Sequence, residues 1–126
     1  MKFLQRQAFD REIRHVRIAL ANQDYGCAYR HLERAHILGQ CYVWPHAYTH
    51  LLFLFIGCRR RDYREILGQL ARIPIGMLGS ALNRAPVGNT GGANVSMFAR
   101  MPIPEDLQEQ LKHTDCHRSN SQERSP

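Results

Sequence analysis

Apolar residues recur every three to four positions as far as Leu82, the period of amphipathic helices packed on one another. Phe9, Ile13, Val16 and Leu20 form the first stripe. They predict a helix from Asp10 to Ala21, capped by Asp10, with Arg11, Arg14 and Arg17 toward water. Asn22-Gln23-Asp24 reads as a tight turn. Tyr25, Ala28, Leu32 and Ala35 carry a second helix to Leu38, and Gly39 is expected to end it in the left-handed conformation. Pro45 suits the first position of a third helix running to about Arg59. Leu51 to Ile56 is apolar all round, which predicts a central helix covered on several sides.

Asp62 and Glu65 have capping-box spacing for a fourth helix. Its stripe is Tyr63, Ile66, Leu67 and Leu70, and Pro74 is expected to end it. Ile75 to Leu82 then reads as a short helix softened by Gly76 and Gly79. After Asn83 the pattern breaks. Residues 86–94 are turn chemistry throughout, and Pro102 and Pro104 keep the chain extended. Pro104 to Lys112 reads as a last short helix, with Glu105 and Asp106 favourable in its first turn. Residues 113–126 read as a disordered tail. The expected fold is all-α: a small antiparallel helical bundle with a helical hairpin at its centre, then an irregular Gly/Pro-rich segment. Residues 1–112 read as a single helical domain, with 83–104 packed on it as a loop.

Composition narrows the picture. The chain has 126 residues, which suits one domain. Leu51 to Gly57 is far shorter than the roughly 20 residues of a membrane helix, so no membrane span is expected. Met1 to Arg6 has no apolar h-region, so no secretion signal is expected and the cytoplasm is the default location. Cys27, Cys41, Cys58 and Cys116 have no C-x-x-C spacing and read as free thiols in a reducing compartment. The formal charge is +6. Arg59-Arg60-Arg61, with Arg64, is the one clear basic run and fits cations at a helix C-terminus. Nucleic acid is not an expected partner, because no aromatic interleaving or DNA-binding motif accompanies that run.

The candidate chemistry lies around the second turn. Residues three or four apart share a helix face. Glu33 and His36 are one such pair, and His46 and His50 another, so an antiparallel hairpin brings them to one level. Glu12 on the first helix is expected at that level too, and Glu12-Ile13-Arg14-His15 repeats the E-x-x-H spacing. Facing E-x-x-H helices hold di-iron and di-manganese centres in bundles. Glu12 and Glu33 are too few carboxylates for that, and His15 falls off the core stripe. The better fit is a mononuclear site for a divalent transition metal, zinc or iron. Its candidate ligands are Glu12, Glu33, His36, His46 and His50, supported by Arg34 and Tyr48. The competing view makes His36, His46 and His50 core residues satisfied by Glu33, Tyr48, Tyr42 or backbone carbonyls. His31 reads as a surface residue. His113, Cys116 and His117 offer only adventitious metal binding. Gly88 to Gly92 could form an anion nest, but it lacks the G-K-[ST] of a P-loop and reads better as an ordered surface loop closing over the bundle.

Three blocks resemble a known family. They are His31 to Gln40 with Pro45-His46 and His50, then Pro86-Val87-Gly88-Asn89-Thr90-Gly91-Gly92-Ala93-Asn94-Val95-Ser96, then Met101-Pro102-Ile103-Pro104. The chain from Phe9 to Leu111 is similar to an uncharacterised bacterial family, domain of unknown function 3703. That resemblance implies a small stand-alone bacterial protein and no established activity. A weaker resemblance is to tetratricopeptide-type hairpins. It rests on Ala28, Leu32, Ala35, Ala47 and Leu54 across Tyr25–Gly39 and Pro45–Arg59, and implies a protein-interaction module without a cofactor. Metal binding is thus the leading expectation, with a metal ion as partner, and the interaction module with a protein partner is second. A metalloenzyme with an open position for water ranks last, because the sequence shows no separate general base or oxyanion donor.

Overall fold

The computed structural model describes residues 1–112. It contains five helices: α1 Phe3–Ala21, α2 Tyr25–Gly39, α3 Val43–Arg60, α4 Tyr63–Ala81 and α5 Glu105–Leu111. No strand occurs among the described residues. The fold is the expected all-α bundle. α1 pairs with α2 and α3 with α4, α2 packs on α3, and α5 lies against α1 and α2. No helix of the described residues is long and apolar enough to cross a membrane.

Two short turns fix the hairpins. Asp24 caps α2 by accepting the Cys27 N–H at 3.0 Å. Asp62 caps α4 by accepting the Glu65 N–H at 3.1 Å. Each such cap is worth about 1 kcal/mol. The core then forms from Phe9, Ile13 and Val16 of α1, Ala28, Leu32 and Ala35 of α2, and Phe53 and Ile56 of α3, closed by Leu107 and Leu111.

Several local expectations are corrected. α1 starts at Phe3, so Asp10 is not its cap; it lies mid-helix and pairs with Arg6 one turn earlier. The added turns are anchored by the buried Gln5 amide, which donates to the Leu38 carbonyl at 2.6 Å. Gly39 ends α2 without a positive φ. Its reason is steric: a Cβ there would lie 2.8 Å from the Phe9 ring. Pro45 sits inside the first turn of α3 rather than at its first residue, where its missing N–H has no intrahelical acceptor anyway. α3 is not covered all round, since Leu51 and Phe55 face solvent. Cys27 and Cys58 are free thiols as expected, whereas Cys41 is disulfide-bonded. The expectations for residues 113–126 lie outside the described residues.

The largest correction concerns α4. Pro74 does not end it; the helix runs through and gives up one N–H bond. Its orientation is also reversed. Tyr63, Leu67, Leu70, Ile75 and Leu78 point outward, while Glu65, Gln69, Arg72 and Ser80 are buried. The buried polar stripe meets the histidines of α2 and α3 and the loop that follows α4. That loop is held as a strap by Asn89, whose amide donates to the Ser96 and Ala99 carbonyls, both at 2.8 Å, and accepts the Gly91 N–H at 2.9 Å.

Candidate metal centre

His46 and His50 stand one turn apart on α3, and His36 sits in the last turn of α2. The connection between these helices is too short to separate them, so the three imidazoles meet. They are 3%, 4% and 3% exposed for His36, His46 and His50. The His46 Nε2 lies 2.9 Å from both His36 Nε2 and His50 Nε2, and the latter two are 3.3 Å apart.

The other ring nitrogens settle the tautomers. His36 Nδ1 lies 2.7 Å from the Asn89 carbonyl, which can only accept. His50 Nδ1 lies 2.6 Å from Gln69 Oε1. The Gln69 amide nitrogen donates to Glu65 Oε1 at 2.6 Å and to the Gly91 carbonyl at 2.9 Å, so its oxygen is the atom facing His50. His46 Nδ1 lies 2.5 Å from Ser80 Oγ, whose proton goes to the Gln40 carbonyl at 2.6 Å. Each Nδ1 therefore carries the hydrogen and donates it. In a neutral ring the remaining Nε2 is then a bare lone pair. Three lone pairs converge with no proton between them.

Protonation would relieve that repulsion only by charging a buried ring, and the surroundings oppose it. His36 is held well below its ordinary range by burial, then by His46 and His50. His46 is pushed down to about 3 by burial and by His50. His50 is pushed to about 4 by burial, with Arg72 adding to it against the Gln69 bond. A cation with vacant coordination positions would relieve the repulsion. Zinc bonds imidazole nitrogen at about 2.0–2.1 Å, which places tetrahedral neighbours about 3.3 Å apart. The observed triangle matches this within a few tenths of an ångström.

Metal-binding imidazoles donate their other N–H to a polar acceptor, and these three donate to a carbonyl, a hydroxyl and an amide oxygen. His50 is tied through Gln69 to Glu65, which also accepts from the Tyr29 hydroxyl and the Ala93 N–H. Burial and Glu65 hold the Tyr29 hydroxyl far above its usual range, so it stays a donor. Gly91 has φ +85°, and a Cβ on it would lie 2.5 Å from His36 Cδ2. A Cβ on Gly76 of α4 would lie 3.0 Å from His46 Cε1. The strap thus closes on the rings at a distance only glycine allows, and α4 at one tighter than most Cβ contacts.

The structure brings together His36, His46 and His50 and leaves both carboxylates elsewhere. Glu12 is buried but groups with His15 and His31. It is held by His31 Nδ1 at 2.7 Å and Arg34 Nε at 3.1 Å. α1 packs mainly on α2, and this is the face of α2 that carries His31 and Arg34. Glu33 joins neither group; burial and the nearby Glu65 raise its carboxyl above the usual range. Arg34 pairs with Glu12 and Asp106, and Tyr48 accepts from Arg17, so neither braces the histidines. The residues that do are Gln69 and Ser80, which no sequence motif singled out, and Asn89, which lay in the Gly88–Gly92 block read as a surface loop. The buried polar stripe at 65, 69 and 72 was the available signal, together with the compact block at 86–92 that a plain surface loop does not need.

Fold and site together define a small helical-bundle protein with a buried tri-histidine cluster braced by a glycine-rich strap. The chain belongs to the family described as "Protein of unknown function (DUF3703)", whose model matches residues 4–111. No curated protein and no solved structure matches the chain.

Proposed function

We propose that this protein binds one divalent transition metal, zinc before iron, through the Nε2 atoms of His36, His46 and His50. The observation that carries this reading is the triangle of unprotonated nitrogens, each ring fixed by its own Nδ1 bond. Glu12 and Glu33 have no part in the ligand set. Three neutral nitrogens in a facial arrangement suit a tetrahedral ion that keeps one position open. The tetratricopeptide-like interaction reading has the paired hairpins in its favour, but gives no reason for three buried lone pairs to face one another.

Metal analysis of untagged protein tests the proposal. The expected result is close to one zinc or iron per chain. His36→Ala and His50→Ala abolish uptake, with helicity followed by circular dichroism, whereas Glu12→Gln and Glu33→Gln retain it. Because the histidine variants remove buried groups, the native chain is also stripped with chelator and titrated with cobalt(II). Absence of both native metal and cobalt uptake overturns the proposal, as does uptake that survives both histidine changes.

A further inference from the structure

We infer that the cavity over the three imidazoles takes a small, singly charged oxyanion, bound to the metal through one oxygen and attracted by Arg72 and Arg84. This rests on the metal-binding reading. The three ligands are neutral, and the Glu65 carboxylate behind His50 is matched by the Arg72 guanidinium beside the rings, so a divalent ion there adds two uncompensated charges to the bundle. Burying uncompensated charge is costly. The fourth ligand therefore has to bring negative charge.

The cavity walls point the same way. A space of about 80 Å³ is lined by the three histidines, Arg72 and Arg84, with an apolar wall that includes Met97 and Phe98, and no Asp or Glu among the described residues lines it. Arg72 is 8% exposed. Its two terminal nitrogens donate to the Gly68 and Val95 carbonyls, and its Nε has no protein partner. Gln40, 2% exposed, lines the same space, and its Oε1 also has no partner. Neither atom reaches the cavity surface, so what the wall offers an anion is the positive charge of Arg72 and Arg84. The small volume and the two arginines favour the smallest oxyanions, bicarbonate and a short carboxylate such as acetate.

The test uses the full chain loaded with cobalt(II), whose visible spectrum reports the fourth ligand. Sodium bicarbonate and sodium acetate are titrated in, with acetamide as the neutral counterpart of acetate. The expected result is a saturable spectral change with both anions and none with acetamide. Arg84 lines the cavity and is exposed, so Arg84→Gln preserves the fold and cobalt uptake, and weakens anion binding on the order of fivefold. Failure to load cobalt overturns the metal reading itself. A cobalt spectrum indifferent to both anions, or equally responsive to acetamide, overturns the anion inference alone. Anion binding unchanged in Arg84→Gln overturns the attraction assigned to Arg84.

Discussion

Gln69→Leu isolates the role of the bonds behind the rings. Gln69 is fully buried and makes three bonds: it accepts from His50 Nδ1 and donates to Glu65 Oε1 and the Gly91 carbonyl. Leucine fills nearly the same space and makes none of them. Glu65 retains the Tyr29 hydroxyl and the Ala93 N–H, so the exposed losses are the His50 N–H and the Gly91 carbonyl. Each orphaned buried group costs about 1–3 kcal/mol, offset in part by the apolar side chain. A net loss of about 3 kcal/mol lowers the melting temperature by roughly 10–20 °C in a domain of this size. Metal binding suffers separately. Without an acceptor at Nδ1, His50 is free to turn or to move its hydrogen to Nε2, and a protonated nitrogen cannot be a ligand. Loss of such a partner typically weakens metal affinity about 10–100-fold. The assays are thermal unfolding with chelator present and zinc competition against a chromophoric chelator at a temperature where both proteins are folded. A folded variant that holds zinc as tightly as the native chain refutes the claim that the Nδ1 bonds set the tautomers.

Two further outcomes follow from the same geometry. Gly91→Ala places a methyl group 2.5–2.7 Å from three atoms of the His36 ring and requires alanine at φ +85°; strain of this kind costs about 1–3 kcal/mol, and zinc competition should show weaker binding while the α1–α2 core stays folded by near-ultraviolet dichroism. Acidification destabilises the metal-free protein. An unfolded histidine titrates near 6.5, whereas folded His46 and His50 titrate at about 3 and about 4, so the unfolded chain binds more protons between these limits and stability falls as pH drops from about 6.5 toward 4. The raised Glu33 carboxyl opposes this over part of the range, as one group against three. Urea midpoints of chelated protein measure the effect, and a midpoint that does not move across that interval contradicts it.

What the sequence showed and what it hid divide along a physical line. The hairpins were legible because their determinants are local: the stripes through Phe9–Val16 and Tyr25–Ala35, the turn at Asn22-Gln23-Asp24, and the cap at Asp62. His46 and His50 share a face by spacing alone, and a short connection leaves His36 nowhere else to go. Glu12 was misplaced because E-x-x-H spacing tells which residues share a face and not which neighbour that face meets. The supports were hidden for a related reason. Gln69 and Asn89 reach their histidines from 19 and 53 residues away, beyond any helical period.

The reversal of α4 shows why the apolar pattern misled there. Turning Leu67, Leu70 and Leu78 outward forfeits about 1.5–3 kcal/mol apiece. Turning them inward would instead withdraw Gln69 and Ser80 from His50 and His46, and Gln69 from the Gly91 carbonyl. Each abandoned polar group would cost about 1–3 kcal/mol, and Glu65, a buried carboxylate holding Tyr29 and the strap, would lose its place as well. The two sums are of the same size, so hydrophobic patterning alone cannot choose the orientation. The short turn after α3 and the glycines at 76 and 91 tip the choice, because they let α4 and the strap approach the rings closely enough to complete every Nδ1 bond. A helix that buries its polar face is, on this account, the cost of holding three imidazoles at one point.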